Sequence, residues 1–229
     1  VWMFLGQYEQ ARDDFEAIRG VAQAGADARW EAVALDHIGH SYRMQDQIPR
    51  ALEFFEAALA LSRSVGDGAL TGRILTHIGF AHFSDGRHAD SIAAHQQARP
   101  LLKAGADAAG LAAGLHGVAE NLVFLGRFPE ALEHLAAAAA AAEAVGNRSL
   151  AVENTHMAAV IHTRLGAYPA AQAEAERAVA VLTEIGDVWN LSAALFAAAE
   201  RCVATGELGK PWSRPRAAST WPGRSAPAD

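Results

Sequence analysis

Apolar positions in this chain recur at helical spacing, in pairs of stretches. Over residues 27–44, Leu35, Ile38 and Tyr42 fall at i, i+3 and i+7 with Gly39 beside Ile38, which marks one face of an amphipathic helix. A polar break, Gln45-Asp46-Gln47, follows, and residues 48–64 place Ala51, Leu52, Phe55, Ala58 and Leu59 in the same way. This two-helix pattern returns every forty residues without an insertion. One column reads Gly6, Asp46, Gly86, Gly126, Gly166 and Gly206; a second reads Asp27, Asp67, Asp107, Asn147 and Asp187; a third reads Ala11, Ala51, Ser91, Ala131 and Ala171. A fixed period in this range predicts a solenoid whose units bury their apolar faces against one another.

The punctuation agrees with paired helices. Asp27 stands where a carboxylate can cap the free N–H groups of a helix start. Pro49, Pro129 and Pro169 each lie one residue inside the start of a second helix, where the missing N–H costs nothing. Second helices end in Gly66, Gly146 and Gly186, as suits a left-handed cap. In two copies the glycine falls one place earlier, at Gly25 and Gly105. Pro100 falls well inside a second helix and is expected to kink or shorten it.

These signals divide the chain into an array over 1–206 and a tail over 207–229. The array begins with a partial unit, 1–26, continues through 27–66, 67–106, 107–146 and 147–186, and ends in the first helix of a last unit, 187–204. Val1 opens in mid-unit without an initiator methionine, which suggests a piece of a longer protein. The tail carries four of the eight prolines, with Trp212, Trp221 and several arginines. It reads as disordered and weakly basic, although a shifted reading frame would look the same.

Composition narrows the classes of function. Hydrophobic residues make up 51%, many of them alanine, and aromatics only 7%, so the core is expected to rest on close helix contact. A net charge of −7 argues against general binding to a phosphate backbone, so no direct nucleic-acid binding is expected from the array. The lone Cys202 excludes an intrachain disulfide and suits a reducing compartment. The alanine run 136–142 is too short to span a membrane and is flanked by charge. The expected location is cytoplasmic, with no membrane association.

The columns resemble a tetratricopeptide repeat, whose pattern places W-x2-L-G-x2-Y on a first helix and A, F and P further on. Leu35, Ile38, Gly39 and Tyr42 match the first part, with leucine for tryptophan. Leu75, Ile78, Gly79 and His82 repeat it, and Leu115, Val118, Ala119 and Leu122 follow more loosely. In second helices Ala51, Phe55 and Ala58 match, as do Ala131, Leu135 and Ala138. HEAT and armadillo repeats share the period but lack these columns. The resemblance implies an all-α, right-handed superhelical solenoid of antiparallel helix pairs. The forty-residue form is similar to arrays in multidomain bacterial regulators, actinobacterial antibiotic-regulatory proteins and large LuxR-type activators among them.

The resemblance also implies that first helices line a concave groove. With Leu35, Ile38, Gly39 and Tyr42 as the packing stripe, the opposite side carries the variable columns. The candidate groove residues are Asp36, His40, Arg43, Arg73, Thr76, Phe80, Phe83, His116, Glu120, Phe124, Glu153, His156 and Arg164. Arginine and aromatic anchors in such a mixture suit a protein or peptide segment. The plainer reading is a set of solvated helix faces with i,i+4 pairs such as Asp36–His40 and His116–Glu120. The lysines and asparagines of the family's peptide-carboxylate clamp are absent from these columns.

Other motifs carry less. His37-Ile38-Gly39-His40 resembles a synthetase nucleotide signature, but His77-Ile78-Gly79-Phe80 shows it to be repeat consensus. His37 and His77 share a column, yet no His-Glu-x-x-His or Cys-x-x-Cys supports a metal. His82 and His162, in the tyrosine column, read as hydrogen-bonded core residues. Gly206 to Lys210 lacks the length and the Ser/Thr of a phosphate loop, and Cys202 has no evident base.

No catalytic residue, metal or cofactor is therefore expected. The expected function is a protein- or peptide-binding scaffold, the sensory or regulatory part of a bacterial transcriptional regulator. The alternatives are a free-standing adaptor in a cytoplasmic complex and, more distantly, a regulatory fragment of an enzyme. The severed first unit would expose apolar surface and favour self-association.

Overall fold

A left-handed residue recurs every twenty positions, and it sets the whole layout. In the computed structural model, which describes residues 2–187 together with Leu191, Ser192, Ala194 and Leu195, φ is positive at Gly6, Ala26, Asp46, Gly66, Gly86, Ala106, Gly126, Gly146, Gly166 and Gly186. Between these points lie a short 3-10 helix (Trp2–Leu5) and the helices α1 (Tyr8–Ala24), α2 (Ala28–Met44), α3 (Ile48–Ser64), α4 (Gly68–Ser84), α5 (His88–Ala104), α6 (Ala108–Phe124), α7 (Phe128–Ala144), α8 (Arg148–Arg164) and α9 (Tyr168–Ile185). The described residues contain no strand, so the fold is an all-α repeat array. None of these helices is long and apolar enough to cross a membrane. The expected helix at 187–204 lies mostly, and the tail 207–229 wholly, outside the described residues.

Each turn closes in the same way. The residue after the left-handed one donates its N–H to a carbonyl five positions back: Asp27 to Ala22, Gln47 to Tyr42, Arg87 to His82 and Arg127 to Leu122, at 2.8–3.0 Å. This is the outer bond of a Schellman motif, and it satisfies a carbonyl that the helix end would leave unpaired. Only three residues separate one helix from the next, so sequential helices run antiparallel and side by side.

The aspartate column works at the opposite ends. Oδ1 of Asp27, Asp67, Asp107 and Asn147 accepts from the backbone N–H of Trp30, Leu70, Gly110 and Leu150, at 2.8–3.1 Å. Such caps contribute about 1 kcal/mol each. They occur at α2, α4, α6 and α8. By contrast α1, α3, α5 and α9 begin without a side-chain cap, and α3 and α9 have a proline in their first two positions. The turns thus repeat every twenty residues, whereas the chemistry of the helix starts repeats every forty.

Two expectations are corrected. Pro100 does not shorten its helix, since α5 keeps the 17 residues of its neighbours. Pro100 and Gln96, whose carbonyl loses its partner, are both exposed, so water can satisfy the lost bond. Nor do Gly25 and Gly105 take the left-handed position. Gly25 has φ −86 and Gly105 φ −81, and the alanines after them turn left-handed instead. Gly105 serves packing, because a Cβ there would stand 2.8 Å from that of Ala69.

The chain forms two units, Val1–His134 and Leu135–Asp229. In the first, Leu35, Phe55, Leu70, Ile74 and Ile78 form a buried core. In the second, Val152, Val179, Leu182 and Leu191 do so. Close approach of paired helices depends on matched sizes. A Cβ on Gly39 would lie 2.8 Å from the Phe55 ring, and one on Gly79 would lie 2.6 Å from the His95 ring. In the second unit the equivalent pair is two alanines, Ala159 and Ala175, buried together. Glycine faces a ring, and alanine faces a methyl.

Both features can be checked by chemical unfolding. Ala26→Gly and Ala106→Gly should each raise stability by about 0.5–1 kcal/mol, because glycine enters the left-handed region without the Cβ clash. Gly39→Ala should lower stability by about 1–3 kcal/mol. Adding Phe55→Leu should restore part of that loss; no restoration would refute the size-matching account.

Candidate functional site

In the first unit, even-numbered helices meet through one repeated geometry. A side chain on one helix touches the next across a step of 37 residues (His40 to His77, Arg43 to Phe80) or 41 residues (Asp36 to His77, Phe83 to Phe124). The two steps differ by four, one helical turn, so each contact lies on the same face of its helix. The result is a seam of polar and aromatic side chains over α2, α4 and α6.

His77 is the hub at one end. Its Nδ1–H donates to Asp36 Oδ1 at 2.7 Å, and its ring lies 5.3 Å from His40 and 5.8 Å from Phe55. Asp36 is only 5% exposed. Burial pushes its carboxyl up, but His77, then His37 and His40, outweigh burial and hold it below the usual range. Burial, with His77 and Arg43 adding to it, pushes His40 down to about 3. Burial also lowers His37, whose ring stacks on Phe15 of α1 at 4.6 Å.

At the middle of the seam the Arg43 guanidinium sits 5.8 Å from the Phe80 ring centre, and Glu120 opposes the effect of its burial. Phe80 meets His95 of α5 edge-on at 5.1 Å. His116 is buried and lies 3.7 Å from Glu120.

At the far end Phe83, His88 and Phe124 form an aromatic cluster, with ring centres 5.2–5.7 Å apart. Phe124 is 70% exposed. A buried network sets this cluster. Ser91 Oγ donates to the Gly79 carbonyl at 2.7 Å, and Asn121 Nδ2 donates to Ser91 Oγ at 2.8 Å and to the Gly117 carbonyl at 2.7 Å. With both amide hydrogens used, Asn121 Oδ1 must accept, so His88 Nδ1 carries the proton that reaches it at 3.0 Å. Ser91 is the one polar member of its alanine column, and this network accounts for it.

The sequence-derived candidates divide accordingly. Asp36, His40, Arg43, Phe80, Phe83, Glu120 and Phe124 come together along the seam. Thr76 and His116 are buried, and Thr76 Oγ1 donates to the Gly72 carbonyl at 3.1 Å. Arg73 is exposed and reaches Asp107 at 3.6 Å, joining two repeats as Arg29 does with Asp67 at 2.8 Å. In the second unit Glu153 and His156 are half-buried and Arg164 is exposed. Burial lowers His156. Of the tyrosine-column histidines, His162 bonds Glu174 at 2.8 Å, whereas His82 Nδ1 has no partner. His88 and Asn121 are absent from the sequence-derived candidates, and His77 enters there only as a discounted metal ligand. The 41-residue step from Asp36 to His77 was the signal available for His77.

The described residues hold no group of three metal-ligating side chains arranged around a common point. What the seam offers is a surface of fixed rings and one arginine, with ionisable groups beneath it. The buried histidines give it a pH dependence with a defined sign. His40, with a folded pKa of about 3, and His95, at about 4, lie below the ordinary 6.5. The unfolded chain therefore binds protons first as pH falls. Stability should be full above pH 6.5 and should decline toward about pH 4, by about 2 kcal/mol per group near pH 5. Urea unfolding at several pH values measures this, and His40→Leu should flatten the decline.

The fold and seam can now be set beside known proteins. The tetratricopeptide repeat family profile matches residues 3–64, 31–104 and 70–144. A search among curated proteins finds no significant match. Among solved structures, BtubC from P. vanneervenii is similar over 96% of this chain and 95% of its own, with 14% identity and a TM-score of 0.67. A signal transduction ATPase with a tetratricopeptide repeat sensor from Pyrococcus horikoshii is similar over 92% of this chain and 32% of its own, with 17% identity and a TM-score of 0.70. A Rap protein complexed with Competence and Sporulation Factor is similar over 90% and 65%, with 19% identity and a TM-score of 0.63. At these identities the likeness is one of fold. The matched segments together cover residues 3–144, more than half of the sequence, and the chain belongs to the tetratricopeptide repeat family.

Proposed function

We propose that the seam over α2, α4 and α6 binds a protein or peptide segment and that the chain acts as a scaffold without chemistry of its own. The observation that carries this is Phe124, 70% exposed yet fixed against Phe83 and a His88 held by Asn121. An exposed ring that is already immobilised loses little entropy when a partner covers it. Arg43, held over Phe80, supplies a second anchor of the type that dominates such interfaces. Asp36, Thr76 and His116 form the floor under these anchors.

The context we infer is the sensory part of a bacterial transcriptional regulator, where partner binding would shift a two-state equilibrium in other domains. A structural neighbour that carries such repeats as the sensor of a larger signalling ATPase supports this reading. A free-standing adaptor in a cytoplasmic complex is the second reading. The coding sequence upstream of Val1 separates them: a helix-turn-helix domain and a phosphate loop fit the regulator, and further repeats alone fit the adaptor.

Groove binding is tested by capture of partners from a lysate of the source organism on the immobilised chain. Phe124→Ala with Arg43→Ala should reduce capture of a specific partner by at least roughly tenfold, the loss of about 1.4 kcal/mol or more. Helicity should be unchanged. Lys103→Ala, on the exposed end of α5, should have no effect, and equal capture by the seam variant would sink the proposal.

A further inference from the structure

α6 is a hollowed helix. Where α4 carries Leu70, Ile74 and His77, α6 carries Gly110, Gly114 and Gly117 in the same columns. Neighbours fill two of the three vacancies. A Cβ on Gly110 would lie 2.7 Å from Leu102, and one on Gly117 would lie 2.3 Å from His95. Gly114 is different. Its Cβ would meet nothing closer than Thr76 Oγ1 at 3.6 Å and His95 Nδ1 at 3.9 Å, so an alanine would fit. The other repeats fill this column with Ala34, Ile74 and Asn154, all fully buried. A glycine inside a helix costs about 1 kcal/mol relative to alanine. Here that cost leaves a cavity of about 120 Å³ between α5, α6 and the start of α7.

The cavity has two kinds of wall. Leu102, Leu111 and Leu115 make one side apolar, and His95, Arg99 and His134 bring nitrogen to the other. His95 is 2% exposed, and neither of its ring nitrogens has a hydrogen-bond partner. His134 Nδ1 is likewise unpartnered. A buried polar group left unsatisfied costs about 1–3 kcal/mol, so two such rings on one cavity point to something that satisfies them. Arg99, on the same wall, brings the positive charge that favours an anion, and Glu133 and Glu130 near His134 oppose it. The wall lies on residues 111, 114, 115 and 118 of α6, whereas the seam uses 116, 120 and 124. The cavity therefore lies on another face of α6 from the proposed peptide surface, with His95, which braces Phe80, in the wall between them.

We propose that the Gly114 cavity binds a short-chain carboxylate, with the hydrocarbon against the leucines and the carboxylate toward Arg99, His95 and His134. The volume suits the purpose: an apolar cavity of about 150 Å³ accepts benzene, so one slightly smaller accepts a chain of about four carbons. A ligand of that size has a Kd on the order of 1 mM.

The test is a calorimetric and NMR titration of the whole chain with sodium butyrate and, separately, with butyramide, near pH 7. Butyrate should saturate, shift the His95 and His134 ring signals and bind roughly tenfold more tightly than the uncharged amide. Gly114→Ile, which restores the residue of the α4 column, and His95→Phe, which restores that of α3, should abolish binding while circular dichroism shows the fold intact. Gly114→Ala, for which the structure has room, should weaken binding even if the isoleucine variant fails to fold. Absence of saturation, equal binding of butyramide, or unchanged affinity in the alanine variant would overturn the proposal. Absence of saturation would leave the cavity to water alone, and the other two outcomes would place binding elsewhere or make it independent of charge.

Discussion

The left-handed residue that ends each helix is the constraint on which the rest of this structure depends. It stops each of α1 to α8 after 17 residues and returns the chain alongside itself through a three-residue turn. Because the turns never vary, a given column always reaches the same height on its neighbour. That is why contacts between α2, α4 and α6 recur at steps of 37 and 41 along the seam. A single inserted residue would rotate every later side chain by about 100° and separate Asp36 from His77.

Constant register lets packing be settled pair by pair. Gly39 admits Phe55 and Gly79 admits His95, while Ala159 packs on Ala175. The repeat therefore fixes where contact occurs but not its chemistry. His95 shows what that freedom allows. It occupies a slot that holds phenylalanine one repeat earlier, yet it brings two nitrogens into an apolar setting. One ring thereby serves two places, since it braces Phe80 under the seam and also forms a wall of the Gly114 cavity.

The helix pairs, the caps at Asp27, Asp67 and Asp107 and the helix-start prolines were legible because each rests on local backbone chemistry. The twenty-residue period of the turns was hidden because Ala26, Asp46 and Ala106 occupy left-handed positions where glycine was sought. The groove columns were legible as a face but not as depths. Asp36, Thr76 and His116 lie on the predicted side, yet the next helix covers them. Depth depends on the distance between helices, which the glycine column sets and a single helix cannot reveal. His77 was missed as part of the seam for a related reason. Its column was judged alone, whereas its role comes from the step to Asp36.

The buried Asp36–His77 pair bears on the binding proposed for the seam. Ion pairs removed from water seldom add net stability, because desolvation offsets much of their attraction. A leucine pair at this point would hold α2 to α4 at least as well. What the pair provides is direction. A carboxylate that accepts from one fixed imidazole holds that ring in a single orientation, and His40 and Phe55 then pack against it. Arg43 follows two turns after Asp36 on α2, so its angle over Phe80 is inherited from the same helix contact. The floor of the seam is thus built for orientation more than for strength. That arrangement would suit the proposed role, in which the seam presents its rings to a partner in one geometry.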